Sequence, residues 1–239
     1  MAGTLVVELM TEMNARPPRS RRPTLIYGRR GAAVEGARRG PHLDSMDLAQ
    51  SYELLRSLTA PVVAITATRG AKRNGMISDA AVRASIVPDV PRAAIFIHKF
   101  NYTHDMVLET GRFGLHVLHT GQLGLVEQLG FVSGRDRDKL AGVPHRLGAL
   151  GCPLLEDCWA WFECRVINAM DAGSSTWFLA DVGEHGRGPG AEILTPAWLR
   201  EHLPPAWQEP YLKNLAAAQA KARELSRDIQ PLVWKGLTT

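Results

Sequence analysis

Two long runs of alternating apolar residues, "CWAWFECRVINAMD" (158–171) and "SSTWFLADVGEH" (174–185), are separated by only Ala172-Gly173. Alternation with a period of two marks strands with one buried face, and a two-residue join leaves room for a turn but not for a crossover helix. The other strand-like runs are "APVVAITATR" (60–69), "RAAIFIHKF" (92–100) after the turn "PDVP", and "RFGLHVL" (112–118). Helical spacing is present in 46–58 and 210–227. A short helix is expected with Thr103 as its N-cap and Gly111 as its stop. "GQLGLVEQLGF" and "GRDRDKLAG", within 121–142, also read as helical. A further helix starts at "TPAWLREHL", with Thr195 as cap and Pro196 at its first position. No βαβ rhythm recurs. The expected fold is therefore mainly β, a closed antiparallel barrel with peripheral helices and a C-terminal helical extension.

Charge narrows the partners. The 239 residues carry a formal net charge of +4, yet residues 1–45 alone hold eight arginines against four acids. The remainder is neutral, which gives no support for nucleic-acid binding by the folded part. No apolar run approaches the roughly 18 residues of a membrane span. "TLVVELM" is broken by Glu8 and lacks preceding basic residues, unlike a secretory signal, and Glu8, Glu12 and Glu35 weaken a transit-peptide reading. Residues 1–45 read as a disordered leader, with Met46 as an alternative start; 46–194 form the main domain and 195–239 the extension. Cys152, Cys158 and Cys164 are spaced six apart, whereas metal sites pair cysteines about two to four apart. They read as reduced core thiols of a cytoplasmic protein, and no metal site is expected.

Few motifs carry chemistry. "GRGPGA" (186–191) fits a dinucleotide pattern superficially, but Pro189 interrupts it and no helix opens there, so it reads as a loop. His116 and His119 read as core or surface residues, and no Ser/His/Asp or Cys/His arrangement is legible. Two segments remain. "TRGAKRNGMISDAAVRAS" (68–85) is small, polar and glycine-bearing, and reads as a loop whose backbone can lie against a flat ring. "HKFNYTHD" (98–105) sets Lys99 and hydroxyls at a helix start, which suits a phosphate. Together they fit a phosphorylated, planar cofactor.

The stretch "RNGMISDAAVRASIVPDVPRAAIFIHKFNYTHDMVLETGRFGLHVL" (73–118) resembles the flavin reductase-like family of FMN-binding split barrels, and the likeness continues in diluted form to about residue 184. That family carries an Asn-Gly-Met-Thr-Ala-Ser-like loop, a strand after a proline turn, a phosphate loop with a basic residue and a threonine, and Gly-x-Phe-x-Val-Asn-Val-Leu. The resemblance implies a homodimer with FMN, or FAD, near the subunit interface. Asn74, Gly75, Met76, Ile77, Ser78 and Asp79 would line the flavin, and Lys99, Asn101, Thr103 and His104 would hold its phosphate. The chain departs from the family twice. Ile77-Ser78-Asp79 replaces Thr-Ala-Ser, and Gly173-Ser174-Ser175-Thr176 stands where relatives often have Gly-Asp-His-Thr, so the nicotinamide-facing histidine is absent.

The implied activity is an oxidoreductase, an NAD(P)H:flavin reductase using NADH or NADPH and supplying a partner oxygenase, with Ser174 and Ser175 near the nicotinamide. Two alternatives are an FMN enzyme acting on an organic substrate, and a flavin-binding protein without turnover.

Overall fold

The computed structural model describes residues 48–55, 57–232 and 234; the expected leader, 1–45, lies outside them. The two long runs form strands β8 (Ala160–Asp171) and β9 (Ser175–Arg187), paired antiparallel from Ala160↔Arg187 to Asp171↔Thr176. Their turn is closed by Gly173 at φ 78°. The register shifts near Phe162/Cys164 and Val166/Asn168, and such bulges bend and twist a hairpin this long.

Around this hairpin stand β1 (Val63–Arg69), β2 (Lys72–Ser78), β3 (Ala81–Arg83), β4 (Arg92–His98) and β5 (Arg112–Val117). They make a seven-stranded sheet in the order β2-β1-β5-β8-β9-β4-β3, with every pairing antiparallel. Its two edges, β2 and β3, are consecutive in the chain and joined through Asp79-Ala80 alone. Three virtual Cα bonds span at most about 11 Å. The sheet therefore curls until its edges almost meet, and it is a split barrel rather than a barrel closed by a continuous ladder.

One face of each strand fills the barrel. Ile65, Ile95, Ile97, Phe113, Val166, Phe178 and Ala180 belong to one buried cluster. Helix α2 (Tyr102–Thr110) packs against it through Met106 and Val107, and ends at Gly111, φ 62°, whose N–H bonds Val107 O. Its N-cap is Asn101, in extended conformation, two residues earlier than the expected Thr103. The expected helices appear as α1 (Leu48–Leu55), α3 (Leu123–Gly130), α4 (Pro196–Glu201) and α5 (Gln208–Leu225), with Thr195 capping α4.

Three expectations are corrected. The stretch read as a ligand loop is mostly strand β2, paired with β1 across a tight turn at Gly70, φ 59°. Residues 134–142 are not helical, because side chains capture the backbone instead: Ser133 Oγ accepts from Arg135 N at 3.0 Å and Asp138 Oδ1 from Leu140 N at 3.0 Å. A small two-stranded sheet, β6 (His145–Leu147) with β7 (Pro153–Leu155), was not expected from the sequence.

Candidate functional site

Strand β2 is a sheet edge, so alternate backbone groups along it have no ladder partner. At its N-terminal half Asn74 is buried, with Nδ2 donating to Thr103 Oγ1 at 2.9 Å on the first turn of α2. His104, also buried, bonds through Nε2 to Thr176 Oγ1 of β9 at 2.9 Å. These contacts tie β2, α2 and β9 together and bring Asn74, Thr103 and His104 into one place. The amide oxygens of Asn74 and Asn101 are both buried without a hydrogen-bond partner.

Backbone closeness shapes the same corner. A Cβ on Gly75 would stand 3.1 Å from Leu129 Cδ2, and one on Gly134 would overlap the Asn74 amide. The loop after α3 thus lies directly on Asn74. Met76 and Ile77 are buried in the barrel core. Ser78 Oγ accepts from Ala80 N at 3.1 Å, and Asp79 accepts from the Thr59 hydroxyl. Ser78 is four residues beyond Asn74, about 13 Å along the strand. The predicted residues therefore line a path from the start of α2 to the β2–β3 corner.

Lys99 meets the Ser174–Ser175 turn. Its N–H bonds Ser174 O at 2.9 Å, and its Nζ lies 2.7 Å from Asp171 Oδ1. Asp171 also accepts from Gly173 N (2.8 Å) and from Gln230 N (3.2 Å). A Cβ on Gly173 would be 2.7 Å from Ser226 O. The C-terminal segment is thus seated on the turn where relatives carry the histidine.

Sequence reasoning missed a second cationic group at α2. Tyr102 lies between Arg69 and Arg135, whose guanidinium carbons are 5.3 and 5.1 Å from its ring centroid. Arg135 Nη1 donates to Phe100 O at 3.3 Å and Nη2 to Asp105 Oδ2 at 3.2 Å. Lys221 Nζ of α5 is 5.9 Å from the Phe100 ring centroid. Burial lowers the proton affinity of Arg135, and burial together with the Arg135 charge lowers that of Lys221. The only sequence signal was the basic character of each residue, and nothing marked their convergence.

The histidines and cysteines stand apart from this corner. His116 accepts from Leu155 N at Nε2 (3.0 Å), and burial lowers its pKa to about 4. Cys152, Cys158 and Cys164 are free and buried; burial raises Cys152 to about 12, Cys158 to about 11, and Cys164 further. Among the described residues no group of three or more His, Cys, Asp or Glu is placed to hold a metal ion, and no helix is long and apolar enough to cross a membrane.

The flavin reductase like domain matches residues 55–202. This chain belongs to the flavin reductase-like family. Among curated relatives of this family member, the high molecular weight rubredoxin of Moorella thermoacetica is 35% identical over 130 residues, covering 54% of this chain and 56% of that protein. The ferric-chelate reductase (NAD(P)H) of Archaeoglobus fulgidus is 27% identical over 135 residues, covering 56% and 79%. Among solved structures, the FMN-binding protein of Thermus thermophilus with bound 1-cyclohex-2-enone superposes with a TM-score of 0.51 at 26% identity, covering 55% and 72%. The chain spans little more than half the length of the Moorella protein.

Proposed function

We propose that this family member binds FMN along β2 and the start of α2, and works as an NAD(P)H-dependent flavin reductase. The observation that carries the reading is an edge strand whose buried Asn74 is clamped to Thr103, with the Asn74 and Asn101 amide oxygens buried and unpartnered. Buried acceptors call for donors, and a flavin offers ribityl hydroxyls and a ring N–H. Asn74, Gly75, Met76, Ile77, Ser78 and Asp79 would hold the ring and ribityl chain; Lys99, Asn101, Thr103 and His104 stand toward the phosphate. Bound flavin supplies two-electron chemistry, so the protein's task is to orient two flat rings and keep water away. Gly75, hemmed in by Leu129 and Leu140, and Gly134, against Asn74, keep that corner dry. FAD as an alternative flavin, an oxygenase supplied with reduced flavin, and a reducing cytoplasm that keeps the three thiols free all belong to this reading.

A homodimer completes it. On the outer face of β3-β4-β9-β8, Val82, Phe96 and Met170 are exposed, and Phe96 stacks on Trp177 with centroids 5.2 Å apart. Trp177 is in register with both Phe96 and Met170, so the apolar row crosses three strands. Its rim carries both signs, Arg92 and Asp181 at 2.9 Å, as a self-complementary surface requires.

The test is the absorbance spectrum of purified protein given FMN, followed by addition of NADH or NADPH under anaerobic conditions. Bleaching of the flavin bands by a nicotinamide is expected. Bound flavin that neither nicotinamide bleaches rules out the reductase. A second reading, an FMN enzyme acting on an organic substrate, is favoured by one feature: the turn at Gly173-Ser174-Ser175 lacks the histidine and is covered by Ser226 and Gln230. The cyclohexenone bound to the Thermus protein is of that substrate type.

A further inference from the structure

We propose that Arg135 and Lys221 form a cation pair that takes the phosphate group of the ligand, so that helix α5 completes the site. The inference rests on the flavin reading above and goes beyond it, because α5 (Gln208–Leu225) lies outside the matched domain, which ends at residue 202.

Geometry carries it. Arg135 is fixed at the start of α2 by its bond to Phe100 O, the carbonyl just before the N-cap Asn101. Lys221 reaches the same residue from the opposite side, over the Phe100 ring. The two cations feel one another, since the Arg135 charge lowers the proton affinity of Lys221. Like charges brought together in a half-buried place repel, and a shared anion removes the repulsion. The site has a second mark of a missing ligand: Asn101 makes no side-chain cap bond and its buried Oδ1 is unpartnered. That oxygen suits a hydroxyl donor beside the phosphate, as on a ribityl chain. Lys99, the cation expected from sequence, is already held 2.7 Å from Asp171. Arg135 supplies a planar fork for phosphate oxygens and Lys221 a mobile point charge.

The shared chemistry is a phosphate ester, either the terminal monoester of FMN or the diphosphate of FAD; the monoester is the assignment here. The test is fluorescence titration of wild type, Lys221→Gln and Lys221→Arg with riboflavin, FMN and FAD. Lys221→Gln is expected to weaken FMN about tenfold, the scale of one charge-assisted hydrogen bond, while riboflavin is unchanged and Lys221→Arg keeps most of the affinity. FAD is expected to lose less than FMN; an equal or larger loss overturns the monoester assignment in favour of the diphosphate. FMN unaffected, or FMN and riboflavin weakened alike, overturns the cation pair. If the wild type takes up no flavin, the flavin reading fails by itself. Inorganic phosphate then decides the pair: it should raise the Tm of wild type more than that of Lys221→Gln, and equal shifts overturn it.

Discussion

His116 and Lys139 are both sealed in the protein and both lean away from charge, for different reasons. His116 is held as a neutral acceptor by Leu155 N, and its pKa near 4 lies below the ordinary 6.5. The unfolded chain therefore binds the extra proton first. The stability due to this residue is complete above about pH 6.5 and is lost as pH falls toward 4, by up to about 3 kcal/mol. Urea unfolding of wild type and His116→Gln should show a smaller loss in the variant across that window. Lys139 is 2% exposed, and its Nζ donates to Leu129 O at 2.8 Å. Burial lowers its pKa to about 7 from 10.5, so folding releases its proton between those values and stability rises with pH there. Lys139→Met should stabilise the protein at pH 7 by about 1–3 kcal/mol and flatten stability between pH 7 and 10. A destabilised Met variant would show that the bond to Leu129 outweighs the desolvation of the ammonium. Neither environment was legible in the sequence. "LHVLH" and "RDKLAG" offer no sign that His116 and Lys139 are enclosed, because the enclosing groups come from β7 and α3.

The hairpin β8–β9 was legible because its alternation is long and its join is short. Strand β2 was not, because Lys72, Asn74 and Gly75 are poor strand formers and only pairing with β1 makes them extended. The consequence for the site is specific: its polar residues were found, but as a loop, and the edge that could cradle a ring was missed. Arg135 and Lys221 escaped notice because they are far apart in sequence and meet only where α5 returns to α2. Two glycines test the element-scale account. Gly70 has positive φ and no atom within 4 Å of an added Cβ, so Gly70→Ala should cost about 1 kcal/mol from conformation alone. Gly173 also has positive φ, but its Cβ would strike the Ser226 backbone. Gly173→Ala should therefore cost more and release the C-terminal segment. Hydrogen exchange at the Gln230 amide, now bonded to Asp171, should quicken in Gly173→Ala and stay slow in Gly70→Ala. Equal exchange in both would separate the turn from the segment that covers it.

At the scale of the molecule, the apolar row of Phe96, Trp177 and Met170 predicts association. Light scattering should give twice the chain mass for wild type and the single-chain mass for Phe96→Glu/Met170→Glu, with unchanged circular dichroism. A monomeric wild type would remove the dimer from the proposal. The curled sheet itself has a consequence in time. Its edges are neighbours in the chain, but β4 reaches its long partner only at β9, where Arg92 bonds Asp181 across 89 residues. At about 5–20 residues per second, a ribosome needs roughly 4–18 s to make that interval. Until then the nascent chain carries Ile95, Phe96 and Ile97 on a strand covered on one side by the three residues of β3 alone. Such an edge is a template for pairing with another chain. The step most exposed to aggregation is therefore the wait for β9, and a chaperone that shields residues 92–98 should raise the soluble yield more than one acting on the finished protein.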